Sequence, residues 1–124
     1  YTEFALRTPG EDGVPVADFP EELTAGTNAS FVAVVENHEG ERAAYTVVAQ
    51  LQRVRDGPDG PVVVERRELA RTNRTLGPGE RWAYNHTVRP NATGTDLRLV
   101  YHLHRGDSTG EPYRRLSIWV DVVA

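Results

Sequence analysis

The sequence predicts an all-β protein, an immunoglobulin-like sandwich of about seven antiparallel strands in two sheets. Glycine (11) and proline (8) break the chain of 124 residues at short intervals. Between these breaks, apolar and polar residues alternate with a period of two, and Val, Tyr, Thr and Leu are frequent, which is typical of half-buried strands. No 11-residue window has the period of an amphipathic helix. Long, unequal loops fit two packed sheets better than a closed barrel.

Each predicted strand has one core-facing side. The first strand opens the chain over 1–6 as a sheet edge, and 20–23 forms at most one helical turn. The other strands are expected at 31–37, 45–52, 62–76, 82–87, 97–104 and 116–123. The fourth, 62–76, follows a turn cluster at 56–61 and is rich in charge. An edge position suits it, because charge on an edge strand deters aggregation.

Length and composition indicate a single domain, residues 1–124, with one core. The net charge of −4 disfavours nucleic acid as the main partner. The absence of cysteine excludes disulfides and sulfur-ligated metals. All 14 basic residues are arginine, which fits either a GC-rich genome or a high-salt habitat. No stretch approaches the roughly 20 apolar residues of a membrane span, and no signal peptide is recognisable.

Most asparagines stand in glycosylation triplets. Four of the five begin an Asn-x-Ser/Thr triplet without proline: Asn28, Asn73, Asn85 and Asn91. Only 14 residues are Ser or Thr, so the triplets predict N-glycosylation and a location outside the cytoplasm of a eukaryote or an archaeon. The absence of cysteine favours an archaeal envelope, because small eukaryotic secreted domains usually carry disulfides. The alternative is a chance overlap of Thr-rich strands with Asn-rich turns.

Two histidines on one strand are candidate metal ligands. His102 and His104 are two residues apart and therefore share a strand face, a common spacing for a ligand pair. His86 or Asp107 would complete such a site. The alternation predicts that both histidines face solvent, where a pair without a third ligand binds metal weakly. We therefore expect solvated strand residues, with no resident metal and no cofactor.

The segment Glu36-Asn37-His38-Glu39 precedes Gly40 at the end of the second strand. One interpretation is a polar ligand or acid–base site. The other is that these side chains bond the backbone of the following turn. An inward-facing Asn at this place favours the second interpretation, since buried polar groups are usually satisfied locally.

The sequence contains no recognisable catalytic motif. No pair among the 18 acidic residues is singled out by surrounding aromatic residues as a glycosidase site would be. Ser30, Ser108 and Ser117 lack the context of a nucleophile elbow. A phosphate loop is excluded because the chain has no lysine. We expect a protein that is not an enzyme.

One sheet face is the candidate interaction surface. In an immunoglobulin-like order, the third, sixth and seventh strands are neighbours. Their shared outer face then holds Val48, Gln50, Val100, His102 and Trp119, with Val123 at its end. An exposed Trp beside Val and His is typical of a protein or glycan contact site. Alternatively, loops, a sugar or another part of a parent chain cover Trp119.

The chain resembles known families. Residues 76–82, with Gly94 and the strand 97–103, look like the fifth and sixth strands of archaeal and bacterial immunoglobulin-like surface modules. More closely, five segments resemble the archaeal membrane-protein family catalogued as domain of unknown function 1616: Tyr1-Thr2-Glu3-Phe4, Ala17-Asp18-Phe19-Pro20, Glu36-Asn37-His38-Glu39, Tyr45-Thr46-Val47 and Leu116-Ser117-Ile118-Trp119-Val120. This resemblance implies a C-terminal domain outside the membrane, following several membrane helices, in a haloarchaeal protein. It supplies no catalytic residues.

These observations predict a non-catalytic, N-glycosylated domain at the extracellular face of an archaeal membrane, in contact with envelope proteins or glycans. Two other functions remain open. One is a sugar- or metal-binding accessory module of a membrane enzyme. The other is a subunit of a surface lattice or filament.

Overall fold

The computed structural model describes residues 1–9, 15–16, 19–106 and 112–124. This part of the chain is all-β, as predicted, with nine strands: β1 Thr2–Pro9, β2 Pro15–Val16, β3 Glu22–Thr24, β4 Ala29–Asn37, β5 Ala43–Gly57, β6 Gly60–Leu76, β7 Arg81–Val88, β8 Gly94–Arg105 and β9 Arg114–Val123. Over these residues, no helix has the length and apolar character needed to cross a bilayer.

The strands form two sheets whose order is immunoglobulin-like. One sheet has the order β2-β1-β4-β7 and the other the order β3-β9-β8-β5-β6. All pairings are antiparallel except that of β3 with β9. The predicted third, sixth and seventh strands are β5, β8 and β9, which are neighbours as expected. The charged strand β6 lies at a sheet edge, which confirms the position inferred from its composition.

The core fills the space between the two sheets. Its largest fully buried members include Phe31, Tyr45, Leu76, Leu99, Tyr101 and Leu103. The rings of Phe31 on β4 and Tyr101 on β8 meet edge to face, with centroids 6.3 Å apart, so they join the two sheets directly. Burying a side chain of this size contributes about 1.5–3 kcal/mol. These buried residues lie on the strand sides that the two-residue alternation predicted to face the core, so that prediction is confirmed.

Residues 20–23 do not form the expected helical turn. Glu22–Thr24 is strand β3, which pairs parallel to β9 and places the buried Leu23 opposite Val122. The pairing is extended by a hydrogen bond from the Asp121 N–H to the Glu21 carbonyl at 2.9 Å. A strand of three residues is too short to show a period of two, so periodicity could not reveal it.

The β5–β6 hairpin extends beyond the rest of its sheet. Most of the expected turn cluster 56–61 is strand, and the turn itself is only 58–59, between the paired Gly57 and Gly60. Gly60 has a φ of 112°, a conformation that favours glycine. β8 accompanies β5 only as far as Gln52, so the hairpin tip overhangs. Two register shifts bulge β6, which hinders pairing of this edge with another chain.

Candidate functional site

All four glycosylation triplets lie at the surface. Their asparagines are exposed: Asn28, Asn73, Asn85 and Asn91. Their hydroxyl residues are exposed as well: Ser30, Thr75, Thr87 and Thr93. Asn37, the one asparagine outside a triplet, is fully buried. The structure therefore separates the asparagines into accessible acceptor candidates and one internal residue, in agreement with the triplet pattern.

Two of the triplets lie at one end of the sandwich, and a third begins in the middle of β7. Asn28 immediately precedes β4, and Asn91 follows β7, in loops joined by a hydrogen bond from the Gly26 N–H to the Pro90 carbonyl at 2.9 Å. Asn85 lies on β7 opposite Val32 of β4. The fourth triplet is separate, because Asn73 lies on the edge strand β6 of the other sheet. Sugars at these positions would cover one end of the domain, part of the outer face of the four-stranded sheet at Asn85, and the β6 edge of the other sheet.

The expectation that His102 and His104 both face solvent is wrong. The rings lie on one face of β8, with centroids 6.1 Å apart, but His104 is only 6% exposed and His102 is half-buried. β8 is a central strand: Val48 of β5 and Arg115 of β9 flank His102, and Thr46 of β5 lies opposite His104. Desolvation, followed by repulsion from Arg115, lowers the pKa of His102 to about 4. His102 is therefore neutral at physiological pH.

His86 does not complete a metal site with this pair. It lies on β7, where a ring nitrogen is 2.6 Å from the hydroxyl of Tyr101. Tyr101 faces the core, whereas the next residue, His102, faces the outside of the same sheet, so the sheet separates the two histidines. Burial lowers the pKa of His86. The other expected ligand, Asp107, lies outside the described residues.

The residues of the expected interaction face do share one sheet face, but only part of that face is accessible. Strand pairing brings Val48, Gln50, Val100, His102 and Trp119 to the outer face of the five-stranded sheet. Val48 is 2% exposed and Val100 is fully buried, so neither can touch a partner. Both lie on central strands, where neighbouring side chains cover them. Trp119 is 54% exposed and is the apolar residue of the five that a partner can reach.

A polar network positions Trp119 beside this covered region. The Arg98 guanidinium donates to the side-chain oxygen of Gln52 at 2.7 Å and lies 6.0 Å from the centroid of the Trp119 ring. Gln52 in turn donates to the Gln50 side chain at 3.1 Å. A cation over an indole face is attracted to the ring electrons, so Arg98 restrains the exposed indole.

A groove of about 530 Å³ joins Trp119 to the overhanging hairpin. Its lining consists of Val54, Arg55, Asp56, Pro61, Asp96 and Trp119. An aromatic plane and apolar side chains therefore stand next to charged groups of both signs. Such a surface suits a ligand with an apolar face and hydrogen-bonding groups, as sugars and polypeptides have.

Asn37 bonds the backbone of the neighbouring turns. Its Nδ2 donates to the carbonyls of Glu41 at 2.8 Å and Leu76 at 3.0 Å, and its Oδ1 accepts from the Glu39 N–H at 2.8 Å. Its own N–H donates to the Glu80 carbonyl at 3.0 Å. Asn37 thus ties the end of β4 to the segments before β5 and after β6. The turn-bonding interpretation of this residue is confirmed.

The Glu39 carboxylate also bonds to residues within the domain. Its carboxylate accepts hydrogen bonds from the hydroxyls of Thr2 and Tyr113, both at 2.8 Å, and lies 3.5 Å from the Arg105 guanidinium. The bond from Thr2, followed by that from Tyr113, lowers the pKa of Glu39 to about 2. Thr2 is also 2.7 Å from the Tyr45 hydroxyl. This carboxylate therefore remains ionised and links β1 to the start of β9, which does not suit an acid–base catalyst.

Glu36 and His38 point outwards, in contrast to Asn37. The Nε2 of His38 is 3.3 Å from a carboxylate oxygen of Glu36 and 4.0 Å from one of Glu3. Glu3 lies directly opposite Glu36 in the pairing of β1 with β4. These three ligand atoms lie within 4.8 Å of one another. Within the segment 36–39, Asn37 and Glu39 therefore make internal bonds, whereas Glu36 and His38 form an outward polar cluster with Glu3.

A family model described as Domain of unknown function (DUF1616) matches residues 1–121. The chain belongs to this family. The match confirms the resemblance that the five sequence segments indicated. A search of curated protein sequences finds no significant match.

Solved structures with the same fold come from different proteins. The CARDB domain of a Pyrococcus furiosus protein, in complex with di-metal ions, has a TM-score of 0.55 and 14% identity, over 99% of this chain and 88% of that one. A beta-glucosidase from Listeria innocua has a TM-score of 0.57 and 18% identity, but the match covers only 16% of the enzyme. Spo0M, a sporulation control protein from Bacillus subtilis, has a TM-score of 0.54 and 12% identity, over 99% of this chain and 49% of that one. At these identities the similarity shows the fold alone.

Sequence reasoning missed Glu3 and the groove beside Trp119. Glu3 becomes relevant only through its pairing with Glu36, which is 33 positions away and depends on strand register. The alternation of β1 places Glu3 on an outer face, and that is the only local signal for it.

The three serines considered as nucleophiles do not come together. Ser30 and Ser117 are exposed on strands of different sheets, and Ser108 lies outside the described residues.

Proposed function

We infer that this DUF1616 domain is a non-catalytic, N-glycosylated, extracellular domain of an archaeal membrane protein. Its role is to make contacts at the cell envelope with proteins or glycans. A rigid sandwich would hold the groove beside Trp119 towards these partners, while sugars keep one end, the sheet face around Asn85 and the β6 edge hydrated. In this function the fold acts as a support for a binding surface and needs no reacting group.

The main support for this proposal is that the four triplet asparagines are exposed, whereas the one asparagine outside a triplet is buried. The buried amide of Asn37 is not accessible for sugar transfer, and Asn37 does not begin a triplet. The four exposed asparagines each begin one. Transfer of a sugar requires an accessible amide and an accessible hydroxyl two residues later, and all four triplets offer both. Glycosylation in turn requires exposure to the extracellular side of the membrane.

Peptide mapping of protein purified from its native host tests this modification. We expect glycan masses on peptides that carry the four triplet asparagines, and an unmodified peptide carrying Asn37. The Asn37 peptide is a control within the same sample. Unmodified peptides at all four triplets would refute the proposed glycosylation.

The groove beside Trp119 is the proposed contact surface. Trp is enriched among the few interface residues that dominate binding, and removing such a residue weakens binding by about 2 kcal/mol or more, about 30-fold. We expect Trp119→Ala to reduce binding of the domain to isolated host envelopes by this factor. Val64→Ala is the matched control, because Val64 is 48% exposed and is not a lining residue of the groove. Equal losses in both variants would exclude a specific role for Trp119.

The internal use of ionisable groups supports a function without catalysis. Glu39 is held ionised by Thr2 and Tyr113, and His86 is bonded to Tyr101 in the core. A lattice or filament subunit, one of the two other functions that the sequence left open, requires self-association. Sedimentation of the domain over a range of concentrations distinguishes the two, because a monomer at all concentrations is expected of a module that binds other envelope components.

A further inference from the structure

We propose that Glu3, Glu36 and His38 form a binding site for a divalent transition-metal ion, of which Zn²⁺ fits best. The site lies on the outer face of the four-stranded sheet, far in the fold from the His102–His104 pair on the other sheet. It does not depend on glycosylation or on location at the envelope.

Strand geometry brings the three side chains together. Glu36 and His38 are two residues apart and alternate with the buried Asn37, so they share one outer face. Glu3 is directly opposite Glu36, and such positions in an antiparallel pair have Cβ atoms about 4.5–5.5 Å apart. Glu36 at the end of β4, His38 immediately after that strand and Glu3 on the neighbouring β1 thus converge on a single point.

The distances suit a small ion. The His38 Nε2 is 3.3 Å from Glu36 and 4.0 Å from Glu3, and all three ligand atoms lie within 4.8 Å of one another. Ligands at about 2.0–2.2 Å from a tetrahedral Zn²⁺ are about 3.4 Å apart. Small side-chain rotations of Glu3, which is 57% exposed, are enough to reach that geometry.

The ring of His38 is already oriented towards the carboxylates. The backbone N–H of His38 donates to the backbone carbonyl of Tyr1 at 2.9 Å, and this bond holds the His38 backbone beside β1. The imidazole stacks on the ring of Tyr1, with centroids 4.7 Å apart and planes at 22°. This stacking restricts the ring plane and leaves Nε2 facing Glu3 and Glu36, so little rotational freedom is lost when a metal binds.

Charge favours a cation at this position. Two carboxylates directly opposite each other on neighbouring strands repel. Arg81, which lies opposite Glu36 on β7, is exposed to solvent. A divalent ion bound between Glu3 and Glu36 would remove the repulsion.

The donor set selects the kind of metal. Two carboxylate oxygens and an imidazole nitrogen are ligands that Zn²⁺ accepts, and three protein ligands leave a position for water. Mg²⁺ and Ca²⁺ prefer sites made of oxygen alone. We therefore expect Zn²⁺ to bind and Mg²⁺ and Ca²⁺ to bind much more weakly.

Calorimetric titration of the untagged protein with Zn²⁺ tests the site. We expect saturable binding of one ion, and a loss of affinity of at least about tenfold in Glu36→Gln and His38→Ala, since even outer-shell partners of a metal are worth 10–100-fold. His102→Ala and Glu22→Gln, which change a histidine and an exposed acid elsewhere, should bind Zn²⁺ as the unaltered protein does. Titrations with Mg²⁺ and Ca²⁺ test the selectivity.

Imidazole NMR spectra locate the bound ion, because the chain has only four histidines. The resonances of His38 should shift with Zn²⁺, and those of His86, His102 and His104 should not. An absence of saturable binding, unchanged affinity in His38→Ala, or shifts at the other histidines would each overturn the proposal. If His38→Ala proves unfolded by circular dichroism, Glu3→Gln replaces it, since that exposed residue can be changed without loss of the fold.

Discussion

Replacing Asn37 with alanine should destabilise the domain strongly, because three hydrogen bonds meet at this one side chain. The bond to the Leu76 carbonyl is buried, and leaving that group without its donor costs about 1–3 kcal/mol. The bonds to Glu41 and Glu39 are partly buried, so water replaces them in part, and each loss costs about 0.5–1 kcal/mol. The sum is about 2–5 kcal/mol, a large share of the roughly 5–15 kcal/mol that stabilises a typical domain.

Urea and thermal unfolding of unglycosylated protein from a bacterial host measure this effect. With about 2.1 cal/mol/K of unfolding entropy per residue, each kcal/mol lowers the Tm by about 4 °C, so the expected decrease is about 8–20 °C. Asn73→Ala, at an exposed asparagine of β6, should change the free energy of unfolding by less than about 0.5 kcal/mol. A loss below about 1 kcal/mol in Asn37→Ala would show that these bonds do not hold the turns together, and would refute the reasoning.

Three further predictions concern titration and the core. The folded-state pKa of Glu39, about 2, is below its ordinary value of 4.5, so the free energy of unfolding should fall as the pH drops from about 4.5 to 2. In acid unfolding, Glu39→Gln should lose less stability than the unaltered protein over this range. The pKa of His102, about 4 against an ordinary 6.5, has the same sign, so protonation favours unfolding; His102→Gln should lose less stability than the unaltered protein between pH 6.5 and 4. Tyr101→Phe removes the partner of the part-buried His86 ring and should cost about 1 kcal/mol in urea unfolding; a neutral result would contradict that hydrogen bond.

Much of the fold could be predicted because it depends on local alternation. The buried sides of β4 and β8, the edge position of β6 and the inward direction of Asn37 all follow from side chains that alternate across a strand. Antiparallel order in a sandwich then determined that β5, β8 and β9 are neighbours. These features need no knowledge of exact register.

Other features depend on contacts that are distant in sequence. Val48 and Val100 are buried on an outer face because neighbouring side chains cover them, and alternation alone does not reveal this. The long overhang of the β5–β6 hairpin was not predicted because the Gly, Pro and Asp residues at 56–61 have the composition of a turn, although most of them belong to the two strands. The approach of Glu3 to Glu36 follows from strand register, which the sequence did not specify without the structure.

Cysteine labelling in intact cells tests the proposed exterior location most directly, because this chain has no cysteine of its own. Asp59→Cys places one thiol in the exposed turn of the β5–β6 hairpin, and Ala33→Cys, at a fully buried position, is the control. In the full-length host protein, a membrane-impermeant maleimide should label the peptide that carries Asp59→Cys to the same extent in intact and lysed cells, and should leave the peptide that carries Ala33→Cys unlabelled. Labelling of Asp59→Cys only after lysis would place the domain inside the cell and contradict the account.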